Sequence, residues 1–169
     1  DASPKRSTFG YKFEGDQPLP VHKAYLDFTA SVEVNKGLIY SHMISFDVAS
    51  YFNSIYHHDA TNWFASLPNI SGTDANAFGR FFREINSGRS IDFLPQGIYP
   101  AKMIGSEFLR FIENSGQLKS AQTLRFMDDI YLFDDNIENL NQDFLRIQEL
   151  LGLRALNVNP TKTVIDGEK

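Results

Sequence analysis

The tetrapeptide Phe126-Met127-Asp128-Asp129 stands between the apolar runs Thr123-Leu124-Arg125 and Ile130-Tyr131-Leu132-Phe133. Two strand-prone runs this close together pair as a hairpin, which commits this part of the chain to an antiparallel sheet. A tight connection favours Asn-Gly or Asp-Gly, because the primed turns need positive backbone angles, so Asp-Asp is a poor choice for turning. The spacing puts both carboxylates at the hairpin tip. Adjacent like charges repel and resist losing water, whereas a divalent cation between them and a third carboxylate reverses that balance.

Asp47 is the candidate third carboxylate. It ends the apolar run Ile39-Tyr40-Ser41-His42-Met43-Ile44-Ser45-Phe46 and opens Asp47-Val48-Ala49-Ser50-Tyr51-Phe52. A strand-end Asp with a hairpin Asp pair suits phosphoryl transfer, since magnesium takes hard oxygen ligands, keeps some of its waters and is held by one or two carboxylates plus substrate phosphates. Asp47 and Asp128 would hold the metal (Mg2+ or Mn2+), with the Val48 carbonyl as an extra oxygen ligand and Asp129 ligating or orienting nearby. Taken singly, each Asp is also an ordinary turn or strand-ending residue.

A third motif, Leu94-Pro95-Gln96-Gly97, lies between the two acidic ones and precedes a helix. Phe46-Asp47-Val48 with Tyr51-Phe52, then Leu94-Pro95-Gln96-Gly97, then Phe126-Met127-Asp128-Asp129, then Asn159-Pro160-Thr161-Lys162-Thr163 resemble motifs A, B, C and D of reverse transcriptases, in family order. The resemblance covers residues 37–166 and is closest to bacterial reverse transcriptases of the abortive-infection and retron-like groups, which associates the chain with antiviral defence. It implies an RNA-directed DNA polymerase, with Asp47, Asp128 and Asp129 catalytic. It also implies an aromatic steric gate at Phe52, where a flat ring under the sugar leaves no room for a 2′-hydroxyl. Gln96 and Gly97 can set an amide and an unhindered backbone against the nucleotide or template, and Lys162 could contact the triphosphate and protonate departing pyrophosphate. Deoxynucleoside triphosphates and an RNA or DNA template with its primer are the implied partners. Pro95-Gln96-Gly97 alone would pass for a turn, Phe52 for core and Lys162 for surface.

Length and composition bound the same answer. At 169 residues, with 42% hydrophobic and 14% aromatic content, the chain buries one good core. No cysteine means no disulfide framework and no thiolate zinc site, and the start Asp1-Ala2-Ser3-Pro4-Lys5-Arg6 lacks the apolar core of a signal peptide, so the cytoplasm is the expected location, with no membrane association. A net charge of −5 runs against nucleic-acid binding, which relies on a basic footprint. The expectation that reconciles the two is a truncated chain: 1–36 a remnant of fingers, 37–169 the palm, and the thumb absent. Such a fragment folds but extends primers feebly.

Periodicity gives a helix over 21–35 striped by Ala24, Phe28 and Val32, a second capped by Asp59 and carrying Trp63, Phe64 and Leu67, and a third capped by Thr73, with Phe78, Phe81, Phe82 and Ile85 inward and Gly88 at its end. Pro100 opens a fourth, and Leu140, Phe144, Ile147 and Leu151 mark a fifth, followed by strand-like 155–158 and 163–165. This is α+β in split β-α-β order, a polymerase palm with an antiparallel sheet and helices packed on one face. His57-His58-Asp59 reads as structural, and Lys5, Arg6, Lys12, Lys23, Arg80, Arg83 and Arg89 read as mostly solvent-facing. Untemplated DNA synthesis by an abortive-infection type enzyme, and a non-catalytic scaffold that keeps only the fold, are the alternatives.

Overall fold

The computed structural model describes residues 5–85, 87 and 93–167. Gly88 and Arg89 lie outside them, as do the first four residues and the last two. The hairpin strands form β5 (Gln122–Phe126) and β6 (Asp129–Asp134), and the run before Asp47 forms β4 (His42–Asp47). With β1 (Lys5–Phe9) and β7 (Val164–Gly167) they make a five-stranded sheet in the order β1-β5-β6-β4-β7. Every pairing is antiparallel except β1 with β5, which run parallel. A short hairpin of β2 (Phe13–Glu14) and β3 (Gln17–Pro18) stands apart from it.

Alternation along the strands divides the core in two. Ile44 and Phe46 of β4 and Ile130 and Leu132 of β6 face a large cluster with α4 (Tyr99–Phe108) and α5 (Ile137–Gly152), which also takes in residues of α2 (His57–Ala65) and α3 (Gly72–Ile85). Met43, Leu124 and Phe133 point the other way, onto Phe28 and Val32 of α1 (Val21–Val34). The main helical layer therefore lies on one face, as the pattern predicts, and α1 covers part of the other. Residues 5–34 share the sheet and the core with the rest of the chain.

Several local expectations change. The hairpin turn consists of Met127 and Asp128, because Asp129 already pairs with Phe126 as the first residue of β6, so only one carboxylate is at the tip. Met127, with φ 57, takes the left-handed conformation that the Asp pair was expected to need. Segment 155–158 is not a strand: Ala155 turns at φ 55 and only Val158 bridges to β4's extension at Val48. Ser71, not Thr73, caps α3, where its hydroxyl accepts from the Asp74 N–H at 3.2 Å while the Asp74 carboxylate accepts from the Ser71 N–H at 3.0 Å. Asp59 sits inside the first turn of α2 and does not cap it. Phe81 is exposed, whereas Phe82 is buried. Arg6 is half-buried and donates to the carbonyls of Ser120 and Leu118.

Candidate active site

Register assembles the site. Asp47, the last residue of β4, lies directly opposite Asp129, the first of β6, and Asp128 precedes it in the turn. Cross-strand partners share a face of the sheet, and like charges placed so repel. Asp47 is buried, and its Oδ2 accepts a 2.6 Å hydrogen bond from Lys162 Nζ, carried on the short helical turn Pro160–Lys162. The peptide after Asp47 is held by Asn159 N–H donating to Asp47 O at 2.9 Å and Ala49 N–H donating to Asn157 O at 2.7 Å. These two bonds flank the Val48–Val158 bridge and leave the Val48 carbonyl out of it.

The charges show their crowding in their proton affinities. Burial, and then repulsion from Asp129 and Asp47, pushes the Asp128 carboxyl up to about 6 from its ordinary 3.8, against the pull of its own backbone N–H and of Lys162. Partial burial and Asp47 raise Asp129 as well. Lys162 is held above its usual range by the bond to Asp47.

A cation would relieve this. Asp47 Oδ1 is buried with no hydrogen-bond partner, and an oxygen left bare in that position fits a metal ligand. The hard carboxylate set suits magnesium or manganese. Among the described residues, no three His, Asp or Glu side chains are gathered closely enough to enclose an ion. Asp47 is engaged by the Lys162 ammonium instead.

Beside the carboxylates opens a cleft of about 470 Å³ lined by Tyr11, Phe52, Gln96, Gly97, Lys102, Met127 and Asp128. Phe52, Gln96 and Gly97, expected from separate motifs, thus share one cleft with Asp128. Lys162 is not among its lining residues and lies on the Asp47 side. Neither packing nor conformation demands a glycine at 97, since a Cβ there would meet nothing within 4 Å. Open space in a cleft wall is what close approach by a ligand requires. His57 is structural, as expected: its ring bonds the Phe93 backbone and lies against Phe82.

Sequence reasoning missed what supports the turn. Arg125, fully buried, pairs with the buried Glu113 and donates from Nη1 to Met127 O at 2.7 Å, so a charge bound inside the protein holds the left-handed turn residue. Gly10, at φ +125, lets the chain after β1 pass over Met127, whose Sδ would be 3.7 Å from a Cβ there. Tyr11 and Lys102 were also overlooked as cleft residues; Lys102 Nζ donates to the Tyr11 hydroxyl at 3.1 Å. An arginine in the hydrophobic run before the acidic pair was the available signal.

A mixed sheet that brings strand-end and hairpin carboxylates together beside a cleft is a palm-type nucleotidyl-transfer arrangement. The chain matches the family model described as Reverse transcriptase (RNA-dependent DNA polymerase) over residues 9–166, and it belongs to that family. No curated protein gives a match. Among the described residues, no helix is long and apolar enough to cross a membrane.

Two outcomes follow from the site's electrostatics. Arg125→Met alone will destabilise the protein by about 3–5 kcal/mol, because it strands the buried Glu113 carboxylate, whereas Arg125→Met with Glu113→Leu will recover most of that loss in urea unfolding. A carboxyl whose pKa is higher folded than unfolded weakens folding wherever it is ionised in the unfolded state, and the penalty grows until the native carboxyl ionises too. The penalty is absent below the unfolded value and full above about 6. Asp128→Asn will therefore stabilise the metal-free protein by about 1–3 kcal/mol at pH 8, with the gain vanishing as the pH falls from 6 to below 4; thermal melts across that range read it directly.

Proposed function

We propose that this chain is the catalytic palm of an enzyme that adds deoxynucleotides to a primer 3′ end on an RNA or DNA template. The observation that carries the reading is the meeting of Asp47, Asp128 and Asp129 at one end of the sheet, with a bare buried oxygen on Asp47 and a nucleotide-sized cleft alongside. Asp47 and Asp128 would hold the magnesium or manganese, joined by the Val48 carbonyl and by Asp129. Bound there, the ion would lower the pKa of the primer hydroxyl and neutralise charge on the phosphates.

The protein's own share is positioning and electrostatics, which supply most of the rate in phosphoryl transfer. Phe52 lies under the sugar and excludes a 2′-hydroxyl. Gln96 and Gly97 meet the nucleotide or the template from the opposite motif. Lys162, once released from Asp47, turns its charge toward the triphosphate and can return a proton to the leaving pyrophosphate. The N-terminal segment reaches the substrate through Tyr11, which lines the cleft.

Primer extension by the natural full-length protein carrying this sequence, on RNA template, DNA template and no template, is the test. Templated deoxynucleotide addition that falls at least about a hundredfold in Asp47→Asn or Asp128→Asn is expected. Phe52→Val is expected to admit ribonucleotides. Equal extension without template would identify untemplated synthesis, and activity indifferent to either Asp would refute the assignment.

A further inference from the structure

Gly105 lies inside α4, where a glycine costs about 1 kcal/mol relative to alanine. Its backbone is not in the left-handed region, so conformation does not explain it. Packing does. A Cβ at 105 would stand 3.1 Å from both Cε1 and Cζ of Phe52 and 3.3 Å from Cδ2 of Leu94. At such distances the neighbours must yield by a few tenths of an ångström.

The main chain on both sides of this contact is tied down. Leu94 N–H donates to Phe52 O at 2.6 Å, which joins the turn after Asp47 to the Leu94-Pro95-Gln96-Gly97 segment. The buried Tyr51 hydroxyl donates to Gly105 O at 2.6 Å, which fastens that same turn to α4. Neither backbone can retreat without breaking a buried hydrogen bond. The Phe52 ring is thus the part left to move, and it stands between Gly105 behind and the cleft with Gln96, Gly97 and Asp128 in front.

We propose that Gly105 sets the depth of the nucleotide pocket: its missing side chain lets the Phe52 ring sit back against α4, and this fixes how much room the sugar has. Gly105 is a positioning residue for specificity and touches no substrate. The proposal rests on the reading of Phe52 as the wall beneath the sugar. A methyl group at 105 moves that wall forward, so the deoxynucleotide itself is crowded and the ribonucleotide more so.

The test is a double-mutant cycle in the natural full-length protein, with primer extension measured for dTTP and UTP in wild type, Gly105→Ala, Phe52→Val and the double variant. Gly105→Ala is expected to raise the KM for dTTP by about threefold to tenfold while changing kcat less, since a wall moved forward by a few tenths of an ångström crowds the bound nucleotide alike before and during reaction. Discrimination against UTP is expected to tighten. In the Phe52→Val background, where no ring is in the way, Gly105→Ala is expected to change neither. An unchanged KM and unchanged discrimination in folded Gly105→Ala, or an equal effect in both backgrounds, would overturn the proposal. If Phe52→Val fails to admit UTP, the gate reading falls, while the coupling between 105 and 52 in the KM for dTTP still reports on the contact. Should Gly105→Ala not fold alone, Gly105→Ala with Leu94→Ala removes the other crowded neighbour; the same rise in KM is expected there, and its absence is equally decisive against Gly105.

Discussion

The pairing of β4 with β6 in one register is the constraint on which everything else depends. It places Asp47 opposite Asp129 and, through the hairpin, Asp128 beside both. A slip of one residue would carry every side chain of β4 to the wrong face, which the fully buried Ile44, Ile130, Leu132 and Phe133 forbid. Apolar burial along the strands thus imposes an unfavourable meeting of charges at their end. Each of those side chains contributes roughly 1.5–3 kcal/mol by burial, more than the repulsion of one cross-strand pair near the surface. The sheet can hold carboxylates in a place they would not choose.

Lys162 supplies part of the missing positive charge, and the arrangement around Arg125 supplies rigidity. Burying an arginine is tolerable only when it is paired and hydrogen-bonded, and Arg125 has both Glu113 and the Met127 carbonyl. Thr8 of β1 in turn donates to Glu113 at 3.3 Å. The parallel edge strand, the buried ion pair and the left-handed turn form one chain of contacts ending at Asp128. This connection links the outer edge of the sheet to the carboxylates at the end of its inner strands.

Much of this was legible in the sequence because it is local. The hairpin, the strand before Asp47, the Pro100 start of α4 and the apolar stripe of α5 all follow from spacing and turn chemistry, and four motifs in order identified the family. What was missed depends on distant partners. The Lys5-Arg6-Ser7-Thr8-Phe9 segment reads as irregular or short-stranded; it is a short strand, and its parallel pairing with β5 across more than a hundred residues is the part that local pattern does not show. Arg125 looks like a solvent-facing break in an apolar run, and only Glu113 makes its burial possible. Met127 gave no turn signal, since its positive φ is sustained by Arg125 and not by its own preference. Gly105 carries no signal in the sequence, because its role depends on Phe52 lying against it in the fold.

On the proposed reading, the register holds Asp47 and Asp128 in readiness for a divalent cation. Manganese binding to the purified chain, followed by electron paramagnetic resonance at pH 8, tests this without nucleic acid or turnover. Binding is expected in the wild-type chain, with affinity weakened about tenfold or more in Asp47→Asn and in Asp128→Asn and falling as protons reclaim Asp128 below about pH 6. Manganese binding of equal strength in all three chains, unchanged between pH 8 and pH 5, would contradict it.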